Sequence, residues 1–120
     1  MGANWFEFEA FLGIEIPLDK CEKLWLRLKE NSPQSVFMVH ICEPTSHSRT
    51  EWENSSCMLE RCIGFLGIAQ TQYTCEEIVS LRAEFGAFIE QNIHILNECG
   101  IQVSEPIVIG GIKWEVSDFV

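Results

Sequence analysis

The chain has 120 residues, of which 47% are hydrophobic, and its formal net charge is -10. This length predicts one domain over residues 1–120, and the apolar content excludes a mainly disordered chain. No apolar run approaches the ~20 residues that cross a bilayer, and the acidic excess disfavours direct binding to nucleic acid or to an anionic membrane. The first residues, MGANWFEFE, lack the basic start of a secretory signal, so we expect a cytoplasmic protein.

Residues 4–16 alternate with a period of two, which predicts a strand with two different faces. The even positions are apolar and are expected to face the core. The odd positions instead carry two aromatic residues and three carboxylates, namely Trp5, Phe11, Glu7, Glu9 and Glu15. This second face is therefore the first candidate for a contact surface.

Residues 18–31 change to helical periodicity and contain half of the chain's eight basic residues, Lys20, Lys23, Arg27 and Lys29. The rest of the chain is almost uniformly acidic. A surface that excludes this helix should therefore carry a strong negative potential. Residues 35–42 then form an apolar run rich in β-forming residues, which predicts a strand.

Residues 43–56 show no periodicity and are dense in turn-forming residues, which predicts a long loop. Trp52 stands in this loop between Glu51 and Glu53. A tryptophan in that setting either folds back onto the core or serves as a contact anchor. Residues 57–72 predict a further strand, in which Gly64 and Gly67 mark bulges or a close backbone approach.

Residues 74–100 predict the longest helix, with a capping box formed by Thr74 and Glu77 at its start. Gly100 is a left-handed stop. The weak points of this helix are Gly86 and the stretch 92–95, because glycine and β-branched residues are poor helix formers. Residues 105–116 alternate again and predict the last strand.

The order strand, helix, strand, strand, helix, strand predicts an α+β fold, a ferredoxin-like βαββαβ sandwich. A four-stranded antiparallel sheet would carry two helices on one face, and its strand order would be 4-1-3-2. The opposite face of the sheet would be open. The odd positions of the first strand would then project from the middle of that open face.

The sequence contains no pattern typical of a catalytic or cofactor site. Its six cysteines form no C-x-x-C pair, so we expect buried thiols and no metal, with Cys75 as the candidate reactive thiol. Glu7 and Glu9 share a strand face, but such carboxylates are more typical of a solvated surface than of acid–base catalysis. We therefore expect no cofactor, no catalytic residue and no enzymatic activity.

These observations favour a small acidic binding or inhibitory protein that neutralises a basic protein partner, as toxin-immunity proteins and phage anti-defence inhibitors do. The residues expected to contact the partner are Trp5, Glu7, Glu9, Phe11, Glu15, Glu51, Trp52 and Glu53. One alternative is a small ligand-binding domain or enzyme that uses the open sheet face. Another is a homodimer in which a second copy covers Trp5 and Phe11.

Overall fold

A computed structural model of the protein describes residues 7–44 and 62–114. Within these ranges the chain forms four strands, three α-helices and one short 3-10 turn. In chain order they are β1 (Glu7–Ile16), the 3-10 turn (Leu18–Lys20), α1 (Cys21–Asn31), β2 (Met38–Pro44), β3 (Ile63–Gln70), α2 (Cys75–Gln91), α3 (Ile93–Glu98) and β4 (Ile107–Trp114).

The four strands form a closed antiparallel barrel. β1 pairs with β3 and β4, and β2 pairs with the same two strands on the other side. The predicted ferredoxin-like sandwich is therefore wrong. β2 and β4, the expected edges of an open sheet, pair with each other, for example at Cys42 and Lys113.

The register of the strands explains how four of them can close. Successive pairs lead from Glu7 to Lys113, then to Cys42, and then to Ile63, which lies beside the β1 partner of Ile16. One circuit of the barrel thus travels almost the whole length of β1. Such a large stagger means that the strands are steeply tilted against the barrel axis, which widens a barrel of few strands.

Two glycines permit the tight contact between β1 and β3. Gly13 and Gly67 lie directly opposite each other. A Cβ added to Gly13 would overlap the carbonyl oxygen of Leu66, and one added to Gly67 would overlap that of Leu12. Only residues without a side chain fit here, so these glycines are part of what allows the sheet to curl.

The barrel separates two hydrophobic clusters. The larger cluster lies on its outer face, where the helices pack against β1, β2 and β3. Its main members are Ile14, Ile16, Leu24, Val39, Leu66, Phe85, Phe88, Ile95 and Leu96. The smaller cluster lies inside the barrel and consists of Phe11, Cys42 and Phe65, with Ile63, Ala69 and Ile109 packed against them. Both faces of the sheet are thus buried over much of their length.

The capping box at the start of α2 is confirmed. The Glu77 N–H donates to Thr74 Oγ1 at 3.1 Å, and the Thr74 N–H donates to Glu77 Oε1 at 2.8 Å. The predicted single helix instead divides at Asn92 and continues as α3, while Gly86 lies within an unbroken helix. Gly100, with φ 71°, follows the end of α3 as expected.

Candidate functional site

The closed barrel changes the position of the predicted contact residues on β1. Phe11 has no exposed surface and packs inside the barrel, where its ring centroid lies 5.9 Å from that of Phe65. Glu9 retains 7% exposure, whereas Glu15, near the end of the strand, is exposed. The open face on which these residues were expected does not exist, because β2 and β4 close it.

The other predicted contact residues cannot be placed in the same way. Trp5, Glu51, Trp52 and Glu53 lie outside the described residues. Glu7 pairs with Lys113 through the backbone of β1, and its side chain also lies outside what the structure describes.

A small polar cluster accompanies Phe11 inside the barrel. Glu9 Oε2 lies 3.8 Å from Lys113 Nζ and accepts no hydrogen bond. His40, only 3% exposed, places Nε2 3.2 Å from the carbonyl oxygen of Gly67. Since a carbonyl can only accept, His40 Nε2 carries a hydrogen, and the buried Nδ1 remains without a partner.

The barrel interior keeps His40 neutral. The pKa of His40 is lowered from 6.5 to about 4, chiefly by burial and also by the positive charge of Lys113, while the hydrogen bond to Gly67 opposes the change. Imidazole in this setting is a structural group that links β2 to β3.

Five cysteines lie in the described ranges, and they differ in exposure. Cys21, Cys42, Cys62 and Cys99 are buried, while Cys75 is exposed in the first turn of α2. Burial raises the pKa of Cys21 and of Cys42 to about 12. Across residues 7–44 and 62–114, no three His, Cys, Asp or Glu side chains are grouped so that they could hold a metal ion.

The outer face of α2 is acidic and exposed. Glu76, Ala83 and Glu90 recur every second turn and so lie along one line of the helix, opposite the buried Phe85 and Phe88. We call this line, with the adjacent exposed Val79, Glu84 and Ala87, the acidic face of α2. The contact residues were expected on the first strand and in the loop 43–56, although the spacing of the glutamates of α2 already indicated this face.

A groove borders this acidic face. The loop 32–37, between α1 and β2, lies beside Glu84, Ala87 and Phe88 of α2, and together they line an open surface depression of about 570 Å³. On the other side of the same loop, Trp25 and Met38 line a second cavity of about 200 Å³. We call these the acidic pocket and the Trp25 pocket.

Asn92 holds the loop against the helices. Its side chain is fully buried at the break between α2 and α3. Asn92 Oδ1 accepts from Asn31 Nδ2 at 2.7 Å and from Ser32 Oγ at 3.3 Å, and its Nδ2 donates to the Phe88 carbonyl at 2.9 Å. One side chain therefore joins the end of α1 to the end of α2, and this sets the width of the groove.

No model of a known protein family, no curated protein and no solved structure gives a significant match to this chain. The helices of the described ranges are all too short or too polar to cross a membrane.

Proposed function

We propose that this chain is an acidic cytoplasmic binding protein that docks on a basic protein partner through the acidic face of α2, and so blocks that partner's basic surface. The observation that carries the proposal is the set of three exposed glutamates, Glu76, Glu84 and Glu90, on one helix of a chain whose net charge is -10. Toxin-immunity proteins and anti-defence inhibitors are biological settings in which such a surface would be useful.

The glutamates of this face are not neutralised within the fold. In residues 7–44 and 62–114, no lysine or arginine lies within ion-pair distance of the carboxylates of α2. The basic residues around α1 have other contacts: Arg27 ion-pairs with Glu98, and Lys20 Nζ donates to the Gly100 carbonyl at 2.9 Å. Glu84 Oε2 accepts a hydrogen bond from Ser80 Oγ at 3.1 Å, but no ion pair within the described residues occupies the carboxylates of Glu76, Glu84 or Glu90, so a cationic partner could reach them.

The acidic face also offers apolar contact area. Val79 is 71% exposed, and Ala83 and Ala87 beside it are exposed as well. Charge alone gives fast but weak association, whereas apolar contacts at the centre of an interface stabilise the complex once it has formed. Carboxylates and small apolar residues on the same exposed side of α2 combine both properties.

Titration of the isotope-labelled protein with an oligoarginine peptide, followed by NMR, tests the proposal. We expect amide shifts concentrated on α2, and an affinity that falls steeply with added sodium chloride. The double variant E76K/E90K should weaken binding by about tenfold or more. E22K/E30K is the matched control, because it makes the same charge changes near the two ends of α1.

An equal loss of affinity in both double variants would contradict the proposal, since it would mean that only the net charge matters. Shifts spread over all exposed acidic segments would contradict it in the same way.

A further inference from the structure

The loop 32–37 separates two pockets of different chemistry. The acidic pocket has Glu84 as the charged residue of its wall, with Gln91 and Ser35 as further polar groups. The Trp25 pocket is bounded by Trp25, Met38 and Val39. Its one charged neighbour, Lys29, lies with Nζ 4.9 Å from the centroid of the Trp25 ring. One pocket thus suits a cation, and the other suits a large apolar side chain.

Phe37 forms part of the wall of both pockets and is held in place by ring packing. It lines both cavities and is itself only 5% exposed. Its ring packs against Phe85 and Phe88, with centroid separations of 5.2 and 5.4 Å. Together with the hydrogen bonds of Asn92, this packing fastens both ends of the loop to the helices, which should reduce the ordering that binding requires.

Apolar side chains remain exposed around this loop. Val36, which lines the acidic pocket, is 57% exposed, and Met38, which lines the Trp25 pocket, is 43% exposed. Single exposed apolar residues are ordinary, but here they flank two concave pockets and a carboxylate. This combination matches a protein segment that pairs an apolar side chain with a cation.

We propose that these two pockets bind a short extended segment of the basic partner, with an arginine or lysine against Glu84 and a neighbouring large apolar side chain against Trp25 and Met38. This inference rests on the proposed function, because it names the part of a basic partner that would be recognised beside the acidic face. Charge complementarity at Glu84 selects a cationic segment over an acidic one. The apolar pocket makes the site selective among cationic segments.

Peptides that contain one arginine and one leucine, separated by one, two or three serines in an otherwise glycine–serine sequence, test this inference. For at least one spacing, we expect affinity about tenfold higher than for the same peptide with leucine replaced by alanine. The indole N–H signal of Trp25, assigned with the Trp25→Phe variant, should shift with the leucine peptide and not with the alanine peptide.

Substitutions separate the two pockets. Glu84→Gln should remove most of the affinity that the arginine of the peptide contributes. Met38→Ala should remove most of the affinity that the leucine contributes. Glu105→Gln, an exposed carboxylate elsewhere in the fold, should leave both unchanged. Both Glu84 and Met38 are exposed, so these variants should fold as the parent chain does.

The outcomes distinguish this inference from the function on which it rests. Oligoarginine could bind the acidic face of α2 while leucine increases peptide affinity at none of the spacings. In that case the proposed function stands and the two-pocket site is wrong. If neither oligoarginine nor the mixed peptides bind, both are wrong. The leucine peptide could also keep its higher affinity in Met38→Ala without shifting the indole N–H signal of Trp25. That result would overturn the assignment of the leucine to the Trp25 pocket.

Discussion

At the scale of single residues, polar side chains that face the barrel interior affect the stability of the fold. Glu9 and His40 both point into the barrel, each with a buried atom that lacks a hydrogen-bond partner. Burying such atoms costs stability unless charge or geometry offsets it, and Lys113 supplies part of that offset for Glu9. These residues therefore act on the stability of the fold and its response to pH.

His40 should make the fold sensitive to acid. Its pKa is about 4 in the folded chain, against 6.5 for an unburied histidine, so the unfolded chain takes up the proton first as pH falls. The free energy of unfolding should therefore decrease between pH 6.5 and 4, by up to about 3 kcal/mol from this residue. Urea titrations across this range should show a shallower pH dependence for His40→Gln. If the free energy of unfolding depended on pH in the same way in the variant and the parent, this account would be contradicted.

The thiols should differ sharply in reactivity. Brief treatment of the native protein with N-ethylmaleimide, followed by peptide mass spectrometry, should label Cys75, which is exposed, well before Cys21 or Cys42. Burial raises the pKa of those two thiols to about 12 and also blocks access to them. Labelling of Cys42 as fast as of Cys75 would mean that the barrel opens readily in solution.

The alternation of residues along β1 correctly separated its two faces, but it could not say what each face meets. Ile14 and Ile16 pack against the helices as expected. Phe11 and Glu9 belong to the other face, and alternation is the same whether that face meets solvent or the inside of a barrel. The pattern of one strand contains no information about the pairing of two other strands.

At the scale of elements, the secondary structure was largely readable because its signals are local. Thr74, Glu77 and Gly100 mark the ends of the helical region by hydrogen bonds and backbone conformation that neighbouring residues determine. The division at Asn92 lay within the stretch expected to be weak. Its cause is tertiary, however, because Asn92 bonds to Asn31 and Ser32 of a distant segment.

Replacing Asn92 should loosen the groove as well as the fold. Asn92→Ala removes three hydrogen bonds from a fully buried position, so we expect a loss of about 1–3 kcal/mol in the free energy of unfolding. Asn97→Ala, an exposed asparagine in α3, is the matched control and should cost much less. Chemical denaturation measures both, and equal losses would argue against a structural role for Asn92.

Two glycines should respond oppositely to alanine. Gly86→Ala lies in exposed helix where the new Cβ meets nothing within 4 Å, and should stabilise the protein by about 1 kcal/mol. Gly67→Ala would force a methyl group into the backbone of β1, and should destabilise it by about 2 kcal/mol or more. Guanidinium denaturation of both variants provides the comparison. A neutral Gly67→Ala would mean that β1 and β3 lie farther apart than described.

At the scale of the whole molecule, barrel closure removes the open sheet face on which the contact residues were expected, and the contact surface proposed instead lies on α2. Closure buries Phe11 and nearly all of Glu9, whereas Glu76, Glu84 and Glu90 of α2 remain exposed. The sequence does contain a signal for closure, since Gly13, Gly67 and Gly111 interrupt three different strands. Glycines inside strands are typical of sharply curled sheets, but they do not reveal which strands become neighbours.

The pairing of β2 with β4 is the central claim, and interstrand nuclear Overhauser effects test it most directly. We expect contacts between backbone protons of Cys42 and Lys113 and of Glu43 and Ile112, together with slow amide exchange in both strands. In an open sheet of order 4-1-3-2, these strands would lie at opposite edges. Absence of those contacts, with fast exchange along the facing edges of β2 and β4, would contradict the closed barrel and return Phe11 and Glu9 to the surface.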